Sequence, residues 1–401
     1  MYLLSAKVEN IRSVSKFDWK VAPKGAPGWH VLLGDNGAGK STVLRSIALA
    51  LLGPTQAAAL RQDYGNWIRV GVSPAKVSLG LGWDGRWDKF SGSGHLPEGP
   101  LVPVGIRLYP PPGGEAPPPS SGRMANPAQI RPLIYKGVKT PPTRHVWGGR
   151  AGWFSASYGP FRRFAGGDKD LEKLYYSHPR VAPHLSMFGE SVSLSECVSW
   201  LQSLRFGESE ALRRGKADGG PSGRLLERVH SFVNDSDFLP HGVRMKEVTQ
   251  RGVELVDGNG CRVEVEALSD GYRSILSMTF ELIRQLVATF GVDRLWDSED
   301  SSRIVAPGVV LIDEVDAHLH PAWQATIGTW FTTRFPRLQF LVATHSPLVC
   351  SAAENGTIYR LPRPGSEESG GLVIGAERER LLYGTVLEAL GTPAFGGIPA
   401  R

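Results

Sequence analysis

The chain has 401 residues, 41% apolar and 21% charged, with a net charge of +6. That is the balance of a globular protein with core enough for two or three domains, whose modest basic excess permits nucleic-acid contact without requiring it. There is no apolar run of about 18 residues to span a membrane, "MYLLSAKVENIRS" lacks the features of a secretion signal, and three scattered cysteines (Cys197, Cys261, Cys350) point to a reducing cytoplasm rather than a disulfide framework.

"YLLSAKVENIRSVSKFDWKV" alternates like the two strands of a hairpin. Val31-Leu32-Leu33 then reads as a short buried strand, and Gly34-Asp35-Asn36-Gly37-Ala38-Gly39-Lys40-Ser41 fits G-x-x-x-x-G-K-[ST] at every fixed position. Glycines in such a loop turn backbone N–H groups onto phosphate oxygens, and the following helix aims its N-terminus at the same charge. Lys40 is expected to reach the β- and γ-phosphates of a nucleoside triphosphate, and Ser41 to ligate Mg²⁺, with Thr42 beside them. Val43, Leu44, Ile47, Ala48, Leu51 and Leu52 recur at helical spacing after the loop.

"AKVSLGLGWDGRWDKF", residues 75 to 90, again alternates like a hairpin. "PPPGGEAPPPSSG", residues 110 to 122, cannot build a core and reads as a mobile loop. "WFSASYGPFRRF" begins as a strand and ends at a turn, and from about 169 to 236 the pattern is helical. Residues 252 to 266 form a hairpin, with Asp257-Gly258 and Asn259-Gly260 supplying the turn. Leu268-Ser269-Asp270-Gly271 precedes a long helix; capping alone would explain Ser269 in isolation. "VVLIDE" reads as a strand buried on both faces with Asp313 at its end to hold Mg²⁺ and Glu314 next to polarise the attacking water. A carboxylate pair beside a triphosphate is repulsive unless it surrounds a metal. "ATHSP" puts His345 at the end of a further apolar strand, where it can hydrogen-bond a γ-phosphate, and "ERERLLYGTVLEALG" reads as a closing helix. His145, His178, His184, His230 and His241 show no metal-ligand spacing and read as structural or surface residues.

Taken together, phosphate loop, Leu-Ser-x-Gly at a helix start, "VVLIDE" and "ATHSP" resemble the ABC ATPase superfamily, in the SMC, RecF and OLD branch rather than the transporter branch. The loop looks like Walker A, "LSDGYRS" like the signature, "VVLIDEVDAHLHP" like Walker B plus D-loop, and "AKVENIRSVSKFDWKV" like the N-terminal hairpin, with Arg12 at its nucleotide-contacting arginine. "LSDGYRS", "SYGPFRR" and "IDEVDAHLHP" look most like stand-alone AAA-family ATP-binding proteins of bacteria, many from antiphage or toxin-like gene pairs. The resemblance implies a head-to-tail homodimer with two sandwiched ATP molecules, Ser269, Asp270 and Gly271 of one subunit meeting the Walker A of the other, and Asp316 linking the sites; higher assembly stays open. Tyr158-Gly159-Pro160-Phe161 stands where transporters have a Q-loop glutamine, which leaves that role unassigned.

The expected fold is α/β, a P-loop NTPase: a two-lobed ABC ATPase head with a long mixed α/β insertion and no long coiled coil. Its expected parts are 1–53 with Walker A, a β-rich 54–165, a helical insertion 166–240, and 241–401 with signature, Walker B and switch histidine. Too little chain follows His345 for an OLD-type nuclease, so a nuclease or toxin activity is expected in a partner. The expected function is a Mg²⁺-dependent ATPase acting as a dimeric switch over a separate effector protein, in antiphage defence, with no membrane partner. The alternative is a RecF-like DNA-binding repair ATPase, with Arg162-Arg163 and Arg213-Arg214-Gly215-Lys216 touching DNA phosphates.

Overall fold

The structure is a computed structural model that describes the chain apart from residues 61, 91–98, 111–128, 139, 149–150, 163–173, 175, 190–195, 235–238, 367 and 396–401. In chain order the elements are β1 (Tyr2–Ile11), β2 (Val14–Lys20), β3 (Gly28–Leu33), α1 (Lys40–Ala59), β4 (Ala75–Gly82), β5 (Lys89–Phe90), β6 (Leu101–Tyr109), β7 (Gln129–Pro132), β8 (Ala151–Gly152) and β9 (Ser155–Tyr158). Helices α2 (Leu185–Phe188), α3 (Glu196–Arg213) and α4 (Gly220–Asn234) follow, then β10 (Arg244–Val248), β11 (Val253–Val256), β12 (Arg262–Glu264) and α5 (Asp270–Phe290). The last part runs β13 (Gly308–Ile312), α6 (Pro321–Arg334), β14 (Leu338–Ala343), β15 (Ile358–Arg360), β16 (Gly371–Leu372), α7 (Gly375–Tyr383) and α8 (Val386–Leu390).

Six strands in the order β16-β15-β3-β14-β13-β9 form the central sheet, and β15, β3, β14, β13 and β9 run parallel. The central strands are buried on both faces, and their alternation sorts side chains into two cores. Val310, Ile312, Phe340 and Val342 face a core shared with α5 and α6, whereas Val309, Leu311, Leu341 and Ala343 face one shared with α1 and a second sheet. That second sheet is antiparallel, ordered β2-β1-β4-β6-β7. Buried Gln339 on β14 links the two sheets: Leu3 N–H donates to its Oε1 at 2.7 Å, and its Nε2 donates to Leu3 O at 2.8 Å. The architecture is the expected α/β P-loop head, and the longest helix among the described residues, α5, has 21 residues.

The β1–β2 hairpin and the β11–β12 hairpin form where the sequence places them. In the latter, Asp257 Oδ1 accepts from the N–H groups of Asn259 and Cys261 and closes the turn. Two expectations are corrected. Residues 75 to 90 are not a hairpin: β4 pairs with β1 and β6, and β5 pairs with β8. The chain turns at Asp84, whose N–H donates to Asp88 Oδ2 at 2.7 Å, and Trp87 goes into the core. The closing segment is two helices, because Gly384 is extended and Thr385 starts α8 with a capping box to Glu388. The proline-rich loop expected at 110–122 and the helical "DLEKLYYS" lie largely outside the described residues.

Candidate nucleotide site

Parallel strands deliver their C-terminal ends to one edge of a sheet, where α/β folds place ligands. Here β3 delivers Gly34 to Lys40, β13 delivers Asp313 and Glu314, β14 delivers Thr344 and His345, and β9 delivers Gly159. Gly39 closes the phosphate loop at φ +100°, and a Cβ on it would lie 2.5 Å from Val14 Cγ2. Glycine is thus required twice there, for the backbone angle and for packing under the β1–β2 turn. Lys40, buried at the start of α1, donates from Nζ to Gly34 O at 2.7 Å and lies 2.7 Å from His345 Nε2. Burial, and then Lys40 beside it, lower the His345 pKa; a neutral imidazole accepting from the ammonium satisfies both groups.

Asp313 is 1% exposed, and burial raises its carboxyl pKa against the pull of Ser41, Arg45, Arg162 and Lys40. Its Oδ1 is buried with no hydrogen-bond partner. A lone buried carboxylate oxygen beside a serine hydroxyl suits a hard divalent cation with oxygen ligands, so Asp313 and Ser41 fit Mg²⁺. Glu314 follows in a left-handed conformation at φ +47°. Asp316 accepts from Thr344 Oγ1 at 2.6 Å, which ties the loop after β13 to the residue before His345 within one chain. Arg12 lies at φ +48° in the β1–β2 turn, its guanidinium 4.7 Å from the Trp67 ring. Burial and then Arg45 lower its pKa.

The signature residues lie at the start of α5. Ser269 holds the N-cap position, yet its hydroxyl makes no capping bond. Ser269 and Asp270 are exposed, and Asp270 pairs with Arg273. A Cβ on Gly271 would lie 2.6 Å from His318 O, so the helix start is pressed against the loop after Walker B. No hydrogen bond among the described residues joins Ser269, Asp270 or Gly271 to Asn36, Gly37, Ala38 or any other part of the same chain's phosphate loop.

Arg162 is the residue whose place sequence reasoning missed. It is 4% exposed, and its guanidinium donates to Ser274 Oγ at 2.7 Å, Gly159 O at 3.1 Å, Asp313 O at 3.0 Å and Glu314 O at 3.0 Å. One side chain therefore joins the end of β9, the two candidate acidic positions and the signature helix. Burial lowers its pKa to about 10, against the pull of Asp313, Asp316 and Glu314. The expectation that Arg162 lies on an open DNA-binding face is corrected, because its donors are consumed inside the molecule; Arg163 lies outside the described residues. Arg214 is exposed at the end of α3 and pairs with Glu210 at 2.8 Å. His145 and His184 are buried, and His184 is held between the hydroxyls of Ser155 and Ser157.

Residues 174–351 match the family described as "AAA domain, putative AbiEii toxin, Type IV TA system". That match covers less than half of the chain. "Septu protein PtuA" of Bacillus mycoides (strain KBAB4) is 35% identical over 361 residues, 89% of this chain and 40% of that protein. "Retron Ec83 probable ATPase" of Escherichia coli is 36% identical over 107 residues, 27% of this chain and 18% of that protein. "Retron Vc95 probable ATPase" of Vibrio cholerae serotype O1 biovar El Tor is 30% identical over 134 residues, 33% of this chain and 24% of that protein. The chain thus spans at most 40% of the length of these three relatives. The Smc head solved with the C-winged helix domain of ScpA superposes with a TM-score of 0.52 at 15% identity, over 94% of this chain and 99% of that one. The chain therefore has the fold of an SMC head, as its motif order implies.

Proposed function

We propose that this protein is a Mg²⁺-dependent ATPase that works as an ATP-driven dimeric switch over a separate effector protein, in antiphage defence. The observation that carries the reading is the single sheet edge where Lys40, Ser41, Asp313, Glu314 and His345 converge, while Ser269 and Asp270 stand exposed with no same-chain phosphate loop to meet. The relatives support the setting, since retrons and Septu are antiphage systems.

In this reading the backbone N–H groups of Asn36, Gly37, Ala38, Gly39 and Lys40, with Thr42, bind the phosphates, and Arg12 packs at the nucleotide's edge. The Lys40 ammonium exchanges Gly34 O and His345 for phosphate oxygens. Ser41 and Asp313 hold Mg²⁺, which when bound neutralises phosphate charge. Glu314 takes the proton of the attacking water, and His345, released from Lys40, donates to the terminal phosphate. Ser269, Asp270 and Gly271 supply a second helix N-terminus from the partner subunit. Asp316, bonded to Thr344, passes the state of His345 to the dimer interface. Arg162 holds the backbone that carries both carboxylates, so it positions them without touching substrate.

The test is Mg-ATP hydrolysis against protein concentration in wild type, Lys40→Ala and Glu314→Gln. Turnover that rises with concentration and vanishes in both variants supports the reading. Turnover that survives in Lys40→Ala, or is independent of concentration, sinks it.

A further inference from the structure

A cavity of ≈ 610 Å³ opens between the C-terminal half of α1, the start of β9 and the C-terminal half of α5, away from the phosphate loop. Its volume lies in the range of small-molecule sites. Leu51, Trp153 and Phe154 give it an apolar wall, and Gln56, Arg180 and Thr289 give it polar groups. Two of these are left incomplete by the protein. The Gln56 Oε1 is buried with no hydrogen-bond partner. Arg180 lies with its guanidinium 5.2 Å from the Trp153 ring and donates one hydrogen bond among the described residues, from Nη1 to Gly148 O at 3.2 Å.

Among the described residues no carboxylate pairs with Arg180, and burial alone lowers its pKa to about 10. Arg180 is half-buried, and two other arginines of the interior differ from it: half-buried Arg284 is held in a fork by Glu281 at 2.8 and 2.9 Å, and buried Arg162 is consumed by four acceptors. Withdrawing a cation from water without a counter-charge is unfavourable, and a guanidinium set in a cavity is matched by a phosphate or carboxylate. Burial, and then Arg180, hold the His184 pKa at about 3, so this neighbour stays neutral and leaves Arg180 as the cation that an anion would meet.

We propose that this cavity is a second ligand site, for a small aromatic anion of 5′-mononucleotide size: the phosphate on Arg180, a ring N–H or sugar O–H on Gln56, and the flat base against Trp153 and Phe154. Its position gives it a consequence for the switch. Leu51 lies on the helix that begins at Lys40, roughly 15 Å along it from the phosphate loop at 1.5 Å per residue, and Gln56 follows the break at Gly53, which is non-helical at φ +79°. Thr289 lies on the helix that begins at the signature. A ligand there touches the far ends of both helices whose near ends meet in the proposed ATP sandwich.

The experiment is equilibrium dialysis of AMP, GMP, CMP and UMP, each separately, against the full chain with excess Mg-ADP to fill the phosphate loop. Wild type is expected to bind at least one of the four. Arg180→Met should weaken it about tenfold or more, as expected for loss of a charge-assisted bond. Gln56→Leu should weaken it several-fold, with no change of charge. No binding of any of the four to wild type overturns the proposal, as does equal binding to wild type and Arg180→Met. If Arg180→Met is unfolded by circular dichroism, Gln56→Leu decides: wild-type affinity there overturns the proposal. Hydrolysis is not read in this test, so failure of the proposed ATPase would leave its result intact.

Discussion

Removing Arg162 should damage stability and turnover by separable amounts. Arg162→Ala strips partners from Gly159 O, Asp313 O, Glu314 O and Ser274 Oγ, all within 3.1 Å of the guanidinium. Each buried acceptor left unmade costs about 1–3 kcal/mol. Water entering the gap returns part of that, so a net loss of about 3–5 kcal/mol is expected, the range for breaking a buried charged network. At a few degrees per kcal/mol for a chain of this size, the melting temperature should fall by roughly 10 °C. Arg162→Lys keeps the charge but cannot fork to acceptors on three segments, and it should lose about half as much. In the folded Lys variant, Glu314 loses the bond that fixes its carbonyl, and a shift of about 1 Å at a reacting group lowers kcat about 10²-fold. KM should change little, because Arg162 makes no contact with the phosphate loop. The assays are thermal unfolding and steady-state Mg-ATP turnover, with Ser274→Ala, about 1 kcal/mol, as the single-bond control. An Arg162→Lys protein with wild-type melting temperature and kcat would refute the reasoning.

Other outcomes follow from the same contacts. His30 is fully buried, its Nε2–H donating to Ala26 O at 2.9 Å and its Nδ1 lying 3.0 Å from Thr357 Oγ1, and burial lowers its pKa to about 4. The unfolded chain takes up this proton near pH 6.5 and the folded chain only near 4, so stability is full above 6.5 and falls between them, by about 3 kcal/mol in all; His30→Gln, measured by urea unfolding across pH, should flatten that slope. Gly39→Ala, forced to φ +100° against Val14, should lose about 1–3 kcal/mol and most nucleotide affinity, read by calorimetry with Mg-ADP. Gly271→Ala should keep Mg-ATP binding and lose ATP-driven dimerisation, because its Cβ would displace the helix start from His318 O; sedimentation velocity checks this.

Some of this was legible in the sequence for plain physical reasons. The phosphate loop, "VVLIDE" and "ATHSP" combine an apolar run with a polar end, and a buried parallel strand imposes that pattern locally, so β3, β13 and β14 stand where read. The hairpin at 252 to 266 declares itself through its turn residues. Residues 75 to 90 misled because alternation reports a half-buried strand, not its partner: β4 alternates correctly but pairs with β1 and β6. Arg162 was hidden because a pair of arginines reads as solvated surface, and its acceptors are carbonyls 151 and 152 residues away, which sequence spacing cannot show. The resemblance implies that Asp316 links the sites across the dimer; its bond to Thr344 within one chain takes β13 and β14 side by side, which sequence spacing does not show.

The central claim is that ATP closes two copies of this chain around nucleotide, and Glu314→Gln tests it most directly, since it should bind Mg-ATP without consuming it. Light scattering after size exclusion should show this variant monomeric without nucleotide and dimeric with Mg-ATP, and Ser269→Arg on the same background should return it to monomer. A Glu314→Gln protein that binds Mg-ATP and stays monomeric would contradict the account.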